Sequence, residues 1–157
     1  MGEVMTVDAA LTAHMSFTAE TGSGHAVVMD AAEHAGGQNL GPQPMELLLV
    51  GLAGCTGMDV ISILRKKRQD VTAYAVRVRG ERAETDPKVF THITVEHVVT
   101  GHAISPAAVA RAIELSETTY CGAGATLGKT ATLQHAFRIV EVERERDAEP
   151  EPVGPPV

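Results

Sequence analysis

Residues 44–68, PMELLLVGLAGCTGMDVISILRKKR, decide the reading of this chain, because they carry one long helical pattern with a cysteine, Cys55, near its middle. Pro44 suits a first helical position, where its missing N–H costs nothing and its fixed φ is already helical. Leu47, Leu48, Val50, Leu52, Val60, Ile61, Ile63 and Leu64 spread over most of the helical circumference, whereas a surface helix keeps a polar half. The helix is therefore expected at the centre of the fold, with the rest of the chain arranged to bury it. Arg65, Lys66, Lys67 and Arg68 crowd its last turn, where the macrodipole favours cations, and mark a solvated end. Gly51, Gly54 and Gly57 recur at every third position. In an exposed helix each costs about 1 kcal/mol relative to alanine, so their spacing predicts close approach of another backbone.

On the N-terminal side, the 5–18 segment ends with Leu11, Ala13, Met15 and Phe17 on alternate positions. Gly22, Ser23 and Gly24 then allow a tight reversal into HAVVMDA, which predicts a β-hairpin. Residues 35–42, AGGQNLGP, read as a loop leading into the helix. On the C-terminal side, VTAYAVRVRGER and FTHITVEHVV are rich in β-branched residues and flank the turn signal at 85–88, which predicts a second hairpin. Arg77, Arg79, His92, Thr94 and Glu96 alternate there with Val76, Val78, Ile93 and Val95, so one face is expected to meet the helix and the other solvent. Ser105 and Pro106 form an N-cap signal for a second helix running to about residue 118. Cys121 follows in the glycine-rich YCGAG, with a short helix expected over 125–129 and a final strand in ATLQHAFRIVEVE.

The 157 residues, 44% of them hydrophobic, suit one α+β domain over 1–145. The charged, proline-rich 146–157 segment has little to bury and is expected to be a disordered tail. Scarce aromatic residues and the absence of Trp argue against stacking platforms for single-stranded nucleic acid. The net charge of −7 argues against duplex binding. No apolar run is read as approaching the roughly 20 residues of a membrane span, and no basic-then-apolar leader is seen at the start, so a cytoplasmic location without membrane contact is expected.

Two cysteines in such a compartment point to redox chemistry more than to a structural disulfide. The seven histidines fall in no metal-type spacing with them, so no metal is expected. A cysteine inside an apolar helix is by default a small buried hydrophobe. Cys55 also lies beyond the first-turn reach of the helix dipole. Asp59, at i+4 on the same side, is an anion, which opposes thiolate formation nearby.

The segments GPQPMELLLVGLAGCTGMDVISILRKKR and ELSETTYCGAGATLGK resemble the OsmC/Ohr family of small thiol-dependent peroxidases, and the likeness spans about residues 10–142. The Pro-Met-Glu-Leu start and the Asp-Val-Ile-Ser-Ile-Leu continuation look closest to the YhfA-like branch. The resemblance implies an OsmC-like fold, with antiparallel sheets around a long central helix, in an intertwined homodimer with two thiol sites at the subunit interface. It implies that Cys55 attacks an organic hydroperoxide and becomes a sulfenic acid, that Cys121 resolves it to a disulfide, and that an external dithiol reopens the disulfide without a resident cofactor. Glu46 would match the family's helix-start acid. The family's activating Arg lies on an N-terminal strand, yet residues 1–64 contain no Arg or Lys. Arg77, Arg79, Arg82, Lys129, His14 and His25 stand as substitutes. The alternative implied by that gap is a non-catalytic stress protein that binds a small apolar ligand at the dimer interface.

Overall fold

The computed structural model describes residues 1–144; the 146–157 segment expected to form a tail lies outside them. The chain opens with a three-stranded antiparallel sheet, β1 (Val7–Ala13), β2 (Ser16–Thr21) and β3 (Ala26–Met29), in that order. The expected reversal at Gly22–Gly24 joins β2 to β3, and Gly24 takes a φ of 85° that favours glycine. A second reversal falls inside the run read as one strand. His14 adopts a φ of 48°, and Leu11 faces Phe17 across a hairpin instead of sharing a strand with it. No glycine or proline marks this turn, so the alternating pattern hid it.

After β3 the chain is organised by Asp30. Its buried carboxylate accepts the backbone N–H groups of Ala31 (2.8 Å), Gln38 (3.0 Å) and Leu40 (3.2 Å). The Gln38 amide is the main cause holding this carboxyl below its ordinary range, against the opposing effect of burial. The loop is thus closed from within before it delivers the chain to the long helix.

That helix, α1, runs Pro44–Lys66, about 35 Å at 1.5 Å per residue. Leu52, Thr56, Val60 and Leu64 are fully buried, a single stripe at i+4 spacing. The stripe packs on a second sheet built from β4 (Asp70–Arg82), β5 (Phe90–His102) and β6 (Thr132–Glu141), together with α2 (Pro106–Leu115) and α3 (Gly122–Leu127). A wide π turn, Ser116–Tyr120, links α2 to Cys121. Strands β4 and β5 pair antiparallel as expected, while β6 joins β5 in parallel. This second sheet is therefore mixed, because the connection through α2 and α3 returns the chain to the starting end of β5. Val60, Leu64, Val99, Val109 and Ile113 form one core cluster, and Leu52, Phe90, Ile93, Val95 and Cys121 form another.

The expectation that α1 is buried on most sides is met on one side only. Leu48, Val50 and Met58 are 46%, 61% and 73% exposed. Gly57 fits against β4, with Val76 Cγ2 at 3.3 Å from where a Cβ would sit, but Gly51 faces open space. The first sheet barely touches the second layer and leaves Val7, Leu11 and Met15 exposed. One more expectation needs correction: α1 is long and apolar enough to cross a membrane by length and composition. Glycine, alanine and cysteine between its aliphatic residues keep its average apolar even though no uninterrupted run is long. Its buried stripe packs against the second sheet and the helices.

Candidate functional site

The fold brings Cys55, from mid-α1, to Cys121, at the start of α3. Their sulfur atoms and a carboxylate oxygen of Asp59 all lie within 4.8 Å of one another. Both thiols are free. Cys55 is half-buried, and Cys121 is 4% exposed. Cys121 caps α3, its sulfur accepting the Gly124 N–H at 3.2 Å. A Cβ on Gly124 would stand 3.3 Å from that sulfur, so a glycine there lets the amide come close. The Cys121 thiol is pushed up to about 11, first by burial. The Gly124 amide works against the rise, while the Cys55 contact and the Asp59 charge add to it.

Asp59 is held in place by a buried hydroxyl chain. Ser116 Oγ donates to Asp59 Oδ2 at 2.9 Å, and Thr56 Oγ1 lies 3.0 Å from Ser116 Oγ. Because the Ser116 proton is committed to the carboxylate, Thr56 is the donor in the second bond. These bonds pin the π turn to α1 and so fix the approach of Cys121 to Cys55.

The other expected site residues lie elsewhere. Glu46 is exposed and closes a capping box, with Gln43 N donating to its Oε2 at 2.8 Å. It sits nine residues before Cys55, about 13 Å along the helix, and acts as a helix cap. Arg77 pairs with Glu96 at 3.4 Å, Arg79 pairs with Glu81, and Arg82 Nε donates to Lys88 O at 2.7 Å. Arg77 and Arg79 stand on the strand face opposite Tyr74, Val76 and Val78. His14 and His25 lie in exposed turns of the first sheet. Lys129, in contrast, shares with Cys121 a cavity of about 480 Å³, lined also by Leu52, Glu117, Leu133 and His135.

Sequence reading missed a buried polar chain beneath α1. Tyr74 Oη lies 2.6 Å from His97 Nδ1, and His97 Nε2 lies 3.1 Å from His135 Nδ1, with the three rings stacked in series. Every proton is placed if Tyr74 donates to His97 Nδ1 and His97 Nε2–H donates to His135. Burial, aided by the nearby His135, lowers His97 to about 4. Burial also lowers His135, against the pull of Glu117, and raises Tyr74. The signal was available in the β5 pattern, since His97 continues the inward alternation Ile93, Val95, Val99.

The chain, a two-layer α+β fold whose long helix presents one cysteine to another at the start of α3, belongs to the OsmC-like family. The family description "OsmC-like protein" matches residues 36–136. Among relatives, Protein YhfA of Escherichia coli strain K12 is 40% identical over 126 residues, 80% of this chain and 91% of that one. A crystal structure of a hypothetical protein from Aquifex aeolicus is 30% identical, with a TM-score of 0.80 over 90% of this chain and 100% of that one. An organic hydroperoxide resistance protein OsmC from Legionella pneumophila shares the fold at 13% identity, with a TM-score of 0.66 over 89% of this chain and 98% of that one.

Proposed function

We propose that the protein is a thiol-dependent peroxidase acting on organic hydroperoxides, with Cys55 as the attacking thiolate and Cys121 as the resolving thiol. The observation that carries this reading is the approach of two free thiols, distant in sequence, to within 4.8 Å on opposite sides of a helix packing seam. The naming of a structural neighbour as an organic hydroperoxide resistance protein supports the substrate class.

In the proposed cycle the Cys55 thiolate attacks the distal oxygen of the hydroperoxide. The O–O bond breaks, the alkoxide leaves and takes up the proton that the Cys55 thiol gave up, and Cys55 becomes a sulfenic acid. Cys121 then attacks the Cys55 sulfur, and the departing hydroxide takes up the Cys121 proton as water. The resulting disulfide is reopened by an external dithiol, which supplies two electrons and returns both thiols.

The active unit in this reading is a homodimer. The uncovered apolar side of α1, with Leu48, Val50, Gly51 and Met58, and the exposed apolar residues of the first sheet support it, as contiguous apolar surface marks interaction sites. A partner subunit would also supply the cation that a thiolate beside Asp59 needs. A second reading, a non-catalytic module holding a small apolar ligand at that interface, is favoured by one observation: the charged group set against the thiols is the anion Asp59.

Peptide mapping after one equivalent of cumene hydroperoxide separates the two readings. The peroxidase reading expects a Cys55–Cys121 disulfide in the wild type and a dimedone-trapped sulfenic acid at Cys55 in Cys121→Ser. Thiols that stay reduced in both proteins would favour the binding module.

A further inference from the structure

Asp59 is the feature that the peroxidase cycle leaves without a use. It stands four residues after Cys55 on the same face of α1, and its Oδ2 is fixed by Ser116 at 2.9 Å. One carboxylate lone-pair set is thus oriented while the other oxygen is left without a hydrogen bond among those of the described residues. The Asp59 charge opposes ionisation of Cys121, unless a cation sits between them. A divalent metal reverses that logic, because it deprotonates coordinating thiols outright.

We propose that the reduced protein binds a thiophilic divalent cation through Cys55 Sγ, Cys121 Sγ and an Asp59 carboxylate oxygen, at the same two thiols that the proposed cycle uses. The ligand geometry fits. The three donor atoms lie within 4.8 Å of one another, and a tetrahedral zinc with bonds of about 2.3 Å to sulfur holds its sulfurs about 3.8 Å apart, a change that small side-chain rotations supply. Two residues at i and i+4 on one helix face, completed by a third from a distant element, is also the arrangement of helix-borne zinc ligands. Two sulfurs and one carboxylate select zinc-like ions over magnesium or calcium, which prefer all-oxygen sites. The Thr56–Ser116–Asp59 chain orients the ligand from behind, as the outer partners of metal ligands do. The carboxylate is reached from outside, since Asp59 lines a surface cavity of about 390 Å³ with Ser62, Lys66, Lys67 and Tyr120. On binding, each thiol releases its proton to buffer as its sulfur–metal bond forms. The fourth position is left to solvent.

The test titrates the reduced, oxygen-free full-length protein with Co²⁺, read by thiolate-to-cobalt charge-transfer absorbance, and with Zn²⁺ against a chromophoric chelator. The site predicts one ion per chain, loss of the band in Cys55→Ser and in Cys121→Ser, and zinc binding weakened in Asp59→Asn by at least the ~10-fold that losing an outer partner of a ligand costs, with unchanged circular dichroism. Wild-type protein oxidised with diamide keeps every residue but loses both sulfur ligands, and it must lose the band too, which keeps the test decisive if a variant fails to fold. No band in the reduced wild type, or equal zinc affinity in the oxidised wild type or in Asp59→Asn, overturns the proposal. Peroxide reduction measured with a chelator present does not depend on metal binding, so failure of either idea is seen separately.

Discussion

Acidification toward pH 4 should destabilise this protein before its carboxylates account for any loss, because of His97. The ring is fully buried, with Tyr74 Oη 2.6 Å from Nδ1 and His135 Nδ1 3.1 Å from Nε2, an arrangement that the neutral ring satisfies. An unfolded histidine titrates near 6.5 while His97 in the fold titrates at about 4. Between those values the unfolded chain binds the proton and the folded chain does not, so stability is fully present above about 6.5 and falls as the pH drops toward 4. At about 1.36 kcal/mol per pH unit, the loss is about 2 kcal/mol by pH 5 and about 3 kcal/mol by pH 4. His135, also lowered by burial, adds to the slope in the same direction. The assay is urea unfolding followed by circular dichroism at a series of pH values, for the wild type and His97→Gln. The variant keeps hydrogen-bonding capacity but cannot titrate, so its midpoint should be lower at neutral pH and much flatter between pH 7 and 5. An equal slope in both proteins would refute the reasoning.

Asp30→Asn should lower the melting temperature by several degrees, since the amide cannot accept from Ala31, Gln38 and Leu40 as the carboxylate does. Because the folded carboxyl is lowered, its contribution is present above about 3.8 and lost below, and the variant should lack that acid limb in a melting series. Leu64→Ala removes a fully buried side chain from the cluster with Val60 and Val99 and should cost about 2–5 kcal/mol in urea unfolding. Val50→Asp, on the uncovered side of α1, should convert a dimeric mass to a monomeric one in light scattering while the fold persists. A monomeric wild type would contradict the proposed assembly.

The long helix, both hairpin regions and the helix after Ser105 were legible because each depends on a short-range pattern: apolar spacing, a first-turn proline, or a glycine reversal. The turn at His14 was not, since a left-handed histidine carries no composition signal. The parallel placement of β6 depends on where α2 and α3 return the chain, a long-range property that strand composition does not encode. The cysteine pairing came from resemblance, and the fold supplies the proximity that sequence could not. Asp59 was visible at i+4 from Cys55, but its orientation by Ser116 required the π turn to fold back on α1. The Tyr74–His97–His135 chain spans three strands, so only its inward alternation in β5 could have shown in the sequence. Glu46 illustrates the reverse case: its position suggested a site residue, and its bond to Gln43 N makes it a cap.

The most direct test of the central claim is stopped-flow mixing of fully reduced protein with cumene hydroperoxide, following thiol loss in the wild type beside Cys55→Ser. The proposed chemistry requires rapid loss of both thiols in the wild type and none above the uncatalysed rate in the variant. Equal, slow thiol loss in the two proteins would contradict it.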